Sequence, residues 1–207
     1  MNGRSGYVTI FTGPMFSGKS MRLIQHANSA ERGGKEVLAV KPETDTRDSD
    51  QIVTSLHDPI NGSDTEWSYE AVHLISETTE DDLTKLFSSV SPDVLIIDEI
   101  QFFADWIVDF VRDIQSSNST EVYLAGLDQT AWREPFGPTP DLLALADHIE
   151  KLHADCFVTD CPRKARFTQL IKPQESSEDD SRIIVGGQEK YEARCGHCWQ
   201  HPDEITA

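Results

Sequence analysis

Short apolar runs alternate with segments of helical periodicity along the first two thirds of the chain. The predicted strands cover residues 7–11, 36–41, 71–75, 92–99 and 121–125. Nearly continuous apolar character is typical of parallel strands that are buried on both faces. The predicted helices cover residues 19–32, 80–88, 103–116 and 138–146, the last with proline at its opening. Alternating strands and helices predict an α/β fold, an open parallel sheet flanked by helices.

Two segments depart from this alternation. Residues 42–61 are polar and weakly periodic, so we predict a long loop there. After His148 the chain changes character, because all four cysteines, a glycine pair and an acidic stretch lie beyond it. We therefore predict a larger domain over residues 1–148 and a small metal-stapled subdomain over residues 149–207.

The length and the net charge of the chain limit the classes of function that it can have. A chain of 207 residues can bury one full core. It carries 36 acidic and 18 basic residues, for a formal net charge of −18. Nucleic-acid affinity depends on basic groups that displace counterions, so this charge argues against a nucleic-acid partner. Residues 1–6 lack a secretory signal and no apolar run reaches membrane-spanning length, so we expect a cytoplasmic protein with no membrane partner.

The predicted strand at 7–11 runs directly into a glycine-rich loop that opens the first helix. The loop has the pattern G-x-x-x-x-G-K-[ST] and consists of Gly13, Pro14, Met15, Phe16, Ser17, Gly18, Lys19 and Ser20. A preceding strand and a following helix are the context that identifies a phosphate-binding loop. Lys19 would reach the β- and γ-phosphates, and Ser20 would ligate Mg²⁺. The sequence therefore predicts a nucleoside triphosphate with Mg²⁺ at this loop.

The apolar strand at 92–99 ends in two carboxylates. Four apolar residues precede Asp98, which is the Walker B arrangement, and such an aspartate holds Mg²⁺ from a strand adjacent to the phosphate-loop strand. Glu99 then lies close to the expected γ-phosphate, where a carboxylate can take a proton from water or a hydroxyl. The alternative for Glu99 is an exposed loop acid.

The four cysteines form two closely spaced pairs. Cys156 and Cys161 are separated by four residues, and Cys195 and Cys198 by two. Thiolates on two tight turns fit the tetrahedral geometry of structural zinc, so we predict a Zn²⁺ site. Two disulfides, which a cytosolic location disfavours, and four free thiols are the alternatives.

Further motifs follow in a recognisable order. They cover residues 45–47, 98–103, 125–128, 135–137 and 185–191, the last running into Cys195. Together with the phosphate loop, they closely resemble the type II thymidine kinases from about residue 7 to residue 200. Members of that family have a RecA-like ATP-binding domain and a zinc subdomain whose lasso loop lies over the nucleoside. The resemblance implies ATP and thymidine as partners and a homotetramer.

The resemblance also implies roles for individual residues. Glu99 would be the base that deprotonates the 5′-hydroxyl of thymidine, and the ATP and magnesium site would include Asp45, Thr46, Arg47, Asp98 and Gln101. The lasso maps to 182–186, whose backbone would bind the thymine. The candidate substrate-binding residues are Met15, Phe102, Leu127, Trp132, Phe136, Phe167, Arg182, Ile183, Ile184, Val185, Gly186 and Tyr191. For Met15, Leu127 and Phe167, ordinary core packing is the alternative.

The chain departs from the family pattern in three places. The family usually has phenylalanine four residues beyond Leu127, whereas this chain has Ala131 followed by Trp132, so the aromatic contact is shifted or lost. The first cysteine pair is spaced by four residues instead of two, which zinc geometry permits. An acidic insert at 175–180 lengthens the approach to the lasso, and we read it as solvated surface.

The most consistent interpretation is an ATP-dependent thymidine kinase that makes thymidine 5′-monophosphate in nucleotide salvage. The alternative is a RecA-like ATPase or helicase module with a zinc ribbon, because Asp98 and Glu99 would also suit activation of water. The lack of a basic nucleic-acid face and the lasso pattern in the C-terminal part favour the kinase.

Overall fold

The computed structural model describes residues 6–45, 51–57, 64–70, 72–117, 119–171, 187 and 189–205. The strands are β1 Tyr7–Thr12, β2 Val37–Pro42, β3 Ile52–His57, β4 Asp64–Tyr69, β5 Val72–Ile75, β6 Val94–Ile97, β7 Glu121–Gly126, β8 His148–Lys151, β9 Ala154–Asp155, β10 Lys164–Ala165, β11 Phe167–Leu170 and β12 Tyr191–Arg194. The helices are α1 Lys19–Arg32, α2 Asp81–Val90, α3 Trp106–Ser117 and α4 Thr139–Leu145, and short 3-10 turns cover Ile100–Phe102 and Pro202–Glu204.

Six strands form one parallel sheet in the order β5-β2-β6-β7-β1-β8. The predicted α/β fold with a parallel sheet is therefore confirmed. Each predicted strand and helix is found within a few residues of its predicted bounds, and α1 has the predicted bounds.

Helices cover both faces of this sheet. Leu95 and Ile97 of β6 pack on one face with apolar residues of α2, α3 and α4. Val94 and Ile96 pack on the other face with Leu23 and other residues of α1. Because successive side chains of a strand point to opposite faces, a strand between two helical layers must be apolar at every position. This requirement produces the continuous apolar runs of the sequence.

The prediction of a structureless loop over residues 42–61 is wrong in its second part. Strand β3 lies within this range and pairs with β4 in an antiparallel hairpin. Ile52 and Tyr69 are buried against α1, and Tyr69 Oη donates a hydrogen bond to Glu31 Oε1 over 2.6 Å. The hairpin is stabilised by this packing against α1, a contact between distant segments that local periodicity does not encode.

The strand β8 pairs with β1 and is the last strand of the large sheet in chain order, which ends at Lys151. Two small antiparallel pairs follow, β9 with β10 and β11 with β12. The four cysteines lie in the turns that follow β9 and β12 of these short pairs. Among the described residues, no helix is both long enough and apolar enough to cross a membrane.

Candidate nucleotide and metal sites

The phosphate-loop motif connects β1 to α1 through two glycines with positive φ. Gly13 has φ 143°, and a Cβ atom there would lie 2.4 Å from the carbonyl oxygen of Leu152. Gly18 has φ 84° and directly precedes the first turn of α1. Both positions require glycine. At Gly13 the reasons are crowding and the positive φ, and at Gly18 the reason is the positive φ alone. The loop thus brings its N–H groups to the N-terminus of α1, where anions are stabilised.

Two side chains of this loop point inward. Lys19 is buried, and its Nζ donates a hydrogen bond to the carbonyl oxygen of Pro14 over 2.8 Å. Ser17 Oγ is buried and has no hydrogen-bond partner among the residues that the structure describes. A buried hydroxyl without a partner is costly, so Ser17 offers an unused donor to an anion held by the loop.

The phosphate loop meets the end of β6 through Ser20, whose side chain donates a hydrogen bond to the carboxylate of Asp98. The expectation that the strand of Asp98 is adjacent to the phosphate-loop strand is wrong, because β7 lies between β1 and β6. The strand β7 ends in Gly126, over which the segment that follows Asp98 packs closely. A Cβ atom there would lie 2.5 Å from Gln101 Oε1, so the absence of a side chain leaves room above the strand.

Asp98 is buried, and burial raises the pKa of its carboxyl to about 7, with a further contribution from the negative charge of Glu99. Asp45 adds a smaller effect in the same direction, while hydrogen bonds from the Glu99 backbone and from Ser20 oppose it. The carboxylates of Asp98, Glu99 and Asp45 therefore lie close together at the carboxyl end of the parallel strands. Such a group of carboxylates favours a bound cation, because the positive charge offsets both the cost of burying the carboxylates and the repulsion between them.

Glu99 occupies an unusual backbone conformation. Its φ of 51° lies in the left-handed region, which non-glycine residues adopt rarely. Gln101 Nε2 donates a hydrogen bond to Glu99 Oε2, and Gln101 Oε1 accepts one from the N–H of Leu127 over 2.9 Å. Gly137 packs so closely on Gln101 that a Cβ atom would lie 2.2 Å from the carbonyl oxygen of Gln101. Gln101 is thus a rigid support that orients the carboxylate of Glu99.

Lys41 belongs to this region, although none of the sequence motifs includes it. It lies in β2 with its side chain only 1% exposed, and its Nζ is 3.6 Å from Asp45 Oδ2. The same Nζ donates a hydrogen bond to the carbonyl oxygen of Gln51 over 2.9 Å. Lysine is uncommon inside a buried apolar strand. Its place in such a strand was the sequence signal that could have identified Lys41 as part of the site.

Several candidate substrate-binding residues form one apolar cluster. Ala131, Leu170 and Tyr191 are its buried members, and Met15, Phe16 and Trp132 pack against them. Burial raises the pKa of Tyr191 to about 12, so its phenol stays protonated. Ala131 stands where the family pattern has phenylalanine and is itself buried in this cluster, and Trp132 packs on it from the next position.

Other candidates lie in different surroundings. Phe102 and Phe136 pack edge to face with ring centroids 5.7 Å apart. Leu127 is half-buried directly after β7 and is joined to Gln101 by its N–H. Phe167 is buried beneath Arg133, whose guanidinium carbon lies 4.1 Å from the ring centroid. Among the described residues, the apolar cluster of Ala131, Leu170 and Tyr191 does not include Phe167.

The neighbour of Phe167, Thr168, makes the contact with the phosphate loop instead. Thr168 is buried in β11, and its Oγ1 accepts a hydrogen bond from the N–H of Met15 over 3.1 Å. No sequence motif marked this threonine, because the contact joins residues that lie far apart in the chain.

The four cysteines converge as predicted. Their sulfur atoms all lie within 4.8 Å of one another. The Sγ of Cys161 is 3.9 Å from that of Cys195 and 3.7 Å from that of Cys198. A tetrahedral Zn²⁺ with Zn–S bonds of about 2.3 Å requires S···S distances of roughly 3.8 Å, whereas a disulfide requires about 2.05 Å. The cluster therefore fits a metal ion such as zinc and does not contain disulfides.

Two of the thiols differ in their ionisation, and the hydrogen bond with Cys195 raises the pKa of the Cys198 thiol to about 12. Burial raises the pKa of the Cys195 thiol, but hydrogen bonds from the backbone N–H groups of His197 and Cys198 outweigh it and lower the pKa to about 6. The thiolate is the form of cysteine that binds a metal.

The remaining candidates lie outside the described residues. They are Thr46, Arg47, Arg182, Ile183, Ile184, Val185 and Gly186, together with the acidic insert at 175–180. The strands on either side of the predicted lasso are described: β11 precedes it, β12 follows it, and the two strands pair with each other.

A comparison with known protein families gives one assignment. The family model described as thymidine kinase matches residues 6–199. The match includes the phosphate loop, the carboxylates after β6 and all four cysteines, and it ends before the 3-10 turn at Pro202–Glu204.

Proposed function

Because this chain belongs to the thymidine kinase family, we propose that it transfers the γ-phosphoryl group of ATP to the 5′-hydroxyl of thymidine. The products are thymidine 5′-monophosphate and ADP. The observation that carries the proposal is the contact of Ser20 with Asp98, because it joins the phosphate loop to a carboxylate pair that ends in Glu99.

The phosphate loop binds the triphosphate. Its N–H groups and the buried Ser17 hydroxyl donate to phosphate oxygens, and Lys19 exchanges the Pro14 carbonyl for the β- and γ-oxygens. The loop binds the phosphate groups of the substrate and of the transition state in the same way. Its main contribution to catalysis is therefore to fix the position of the γ-phosphoryl group.

Ser20 and Asp98 are the residues that would hold Mg²⁺. When bound, Mg²⁺ neutralises charge on the phosphate oxygens. The carboxyl of Asp98 must then be ionised, although its pKa without a cation is about 7. Asp45 stands beside Asp98, and Lys41 offsets its charge.

Glu99 is the proposed base. The 5′-oxygen of thymidine attacks the γ-phosphorus in line, the bond from that phosphorus to the bridging oxygen breaks, and ADP leaves. The hydroxyl proton passes to the carboxylate of Glu99. Gln101 holds that carboxylate by a hydrogen bond, so little reorientation is needed during the reaction.

The apolar cluster of Met15, Trp132 and Tyr191 is the proposed nucleoside site, with the predicted lasso at 182–186 completing it. A flat pyrimidine base suits such a site, since aromatic and aliphatic walls bind its faces and backbone groups bind its edges. Structural zinc on the four cysteines would fix β12 and hence the end of the lasso segment. We also propose a cytoplasmic homotetramer that acts in thymidine salvage.

ATP turnover separates this function from the ATPase alternative. The purified full chain is incubated with Mg·ATP and either thymidine or single-stranded DNA, and ADP and thymidine 5′-monophosphate are quantified. The proposal requires equal amounts of the two products with thymidine and no stimulation by DNA. ADP formation that responds to DNA and not to thymidine would establish the alternative. Light scattering on the same sample measures the oligomeric state.

A further inference from the structure

The indole of Trp132 is held by a residue near the C-terminus. Its Nε1 donates a hydrogen bond to Asp203 Oδ1 over 2.8 Å. Asp203 lies in the 3-10 turn Pro202–Glu204, outside residues 6–199 that the family model matches. The contact therefore joins a candidate pocket residue to a segment that the family pattern does not cover.

The C-terminal turn is docked firmly enough to act as a support. Gln169 and Gln200 exchange two hydrogen bonds, one of 3.0 Å from Gln169 Nε2 and one of 2.7 Å from the N–H of Gln200. Pro202 is buried, and the N–H of Asp203 donates to Nδ1 of His201 over 3.3 Å. These contacts hold the turn on β11, which places the exposed carboxylate of Asp203 within hydrogen-bond distance of the indole.

The loop that carries Trp132 is held from a second side. The guanidinium carbon of Arg133 lies 4.1 Å from the centroid of the Phe167 ring and 5.0 Å from that of Trp199. The N–H of Trp132 donates to Thr130 Oγ1 over 3.2 Å. The backbone at Trp132 is thus fixed, and the remaining freedom of its indole is rotation of the side chain.

We infer that Asp203 is a positioning residue that fixes the indole of Trp132 as a wall of the nucleoside site. The inference rests on the proposed function. Trp132 packs on the cluster that contains Tyr191 and Met15, and its indole N–H is bound by Asp203. The hydrogen bond selects one rotamer, and the ring then presents a fixed face to a pyrimidine base.

The test compares five variants of the full chain. Asp203→Ala removes the acceptor, Asp203→Asn keeps an acceptor oxygen without the charge, and Trp132→Phe keeps a ring without the N–H. The double variant Asp203→Ala with Trp132→Phe tests coupling. Glu204→Ala is the matched control, because Glu204 is an exposed acid of the same turn.

We expect Asp203→Ala and Trp132→Phe each to raise the KM for thymidine by about 2–13-fold, the range for loss of one ordinary hydrogen bond, because this bond is exposed to solvent. The KM for ATP, kcat and the melting temperature should stay close to wild type. The double variant should be no worse than the poorer single variant. Asp203→Asn should recover most of the loss, and Glu204→Ala should behave as wild type.

Three results would overturn the inference while leaving the kinase function intact. They are an unchanged thymidine KM in Asp203→Ala, effects that multiply in the double variant, or equal losses toward ATP and thymidine. A wild-type chain without thymidine-dependent ATP turnover would instead overturn the proposed function and this inference with it.

Discussion

The N–H of Met15 donates a hydrogen bond to Thr168 Oγ1 over 3.1 Å, which joins the phosphate loop to β11. Met15 follows β1 of the large sheet, and Thr168 lies on the strand that leads into the predicted lasso segment. One hydrogen bond between a backbone N–H and a side chain thus links the proposed ATP site to the strand that precedes the predicted lasso.

Thr168→Val tests this link, because valine keeps the shape of threonine and removes the acceptor. The Met15 N–H would lose its partner, so we expect the free energy of unfolding to fall by about 1–3 kcal/mol. Urea denaturation measures the change. Thr168→Ser is the control, since it keeps the hydroxyl. Equal stability of the valine and serine variants would show that the hydrogen bond contributes nothing.

Glu99→Gln should lower kcat by about 10²–10⁴-fold, because glutamine cannot accept the hydroxyl proton. The amide retains the size of the carboxylate beside Gln101, so ATP affinity should stay within a factor of a few. Single-turnover formation of thymidine 5′-monophosphate measures the chemical step. A variant with more than about a third of wild-type turnover would remove Glu99 from the mechanism.

Lys19→Ala should abolish phosphoryl transfer and weaken binding of a non-hydrolysable ATP analogue, since Lys19 is the only basic residue in the phosphate-loop motif. Isothermal titration measures the affinity. Lys35→Ala is the control, because Lys35 is a half-exposed lysine that pairs with Glu121 away from the loop. Unchanged affinity in Lys19→Ala would contradict the assignment of the phosphate loop.

Asp98 should make stability depend on pH in the absence of Mg²⁺. Burial raises the pKa of its carboxyl to about 7 in the folded chain, from 3.8 in the unfolded chain. Between these values the folded chain binds one more proton, so this contribution to the free energy of unfolding falls as pH rises from about 4 to about 7 and is constant above it. Asp98→Asn should remove that slope. Denaturation curves of both variants from pH 5 to pH 8 give the difference.

The same group should make nucleotide binding depend on pH in the opposite sense. Because a proton competes with Mg²⁺ for Asp98, the affinity for the Mg²⁺ complex of an ATP analogue should rise up to about pH 7 and level off. Isothermal titration across this range checks the trend. An affinity that is independent of pH in the wild type would contradict the role of Asp98 at the metal.

Cys195→Ser should remove the metal and weaken thymidine binding more than ATP binding. Cys195 directly follows β12, and the N–H of Ile171 donates to the carbonyl oxygen of Lys190 over 2.8 Å at the opposite end of the same strand pair. Structural zinc contributes folding free energy, so its loss should release this pair while the large sheet stays folded. Elemental analysis gives the zinc content, and separate titrations give the two affinities.

Two results would contradict this link between the metal and the nucleoside site. One is a wild-type chain without stoichiometric zinc. The other is normal thymidine affinity in Cys195→Ser together with loss of the metal.

Local chemistry decides the features that were predicted from the sequence. Gly13, Gly18 and Lys19 are required by the backbone and charge of a phosphate loop, and these requirements hold within eight consecutive residues. The strand before Asp98 had to be apolar at each position because helices cover both of its faces. The cysteine pairs were recognisable because metal geometry constrains their spacing.

Only the tertiary structure decided the features that depend on distant segments. Strand β3 is stabilised against α1, Lys41 lies beside Asp45 in a buried region, and β7 separates β1 from β6. Thr168 and Asp203 reach Met15 and Trp132 from parts of the chain far away in sequence. A sequence determines backbone preferences and the period of burial over a few residues, whereas hydrogen-bond partners between distant segments follow from how the layers pack.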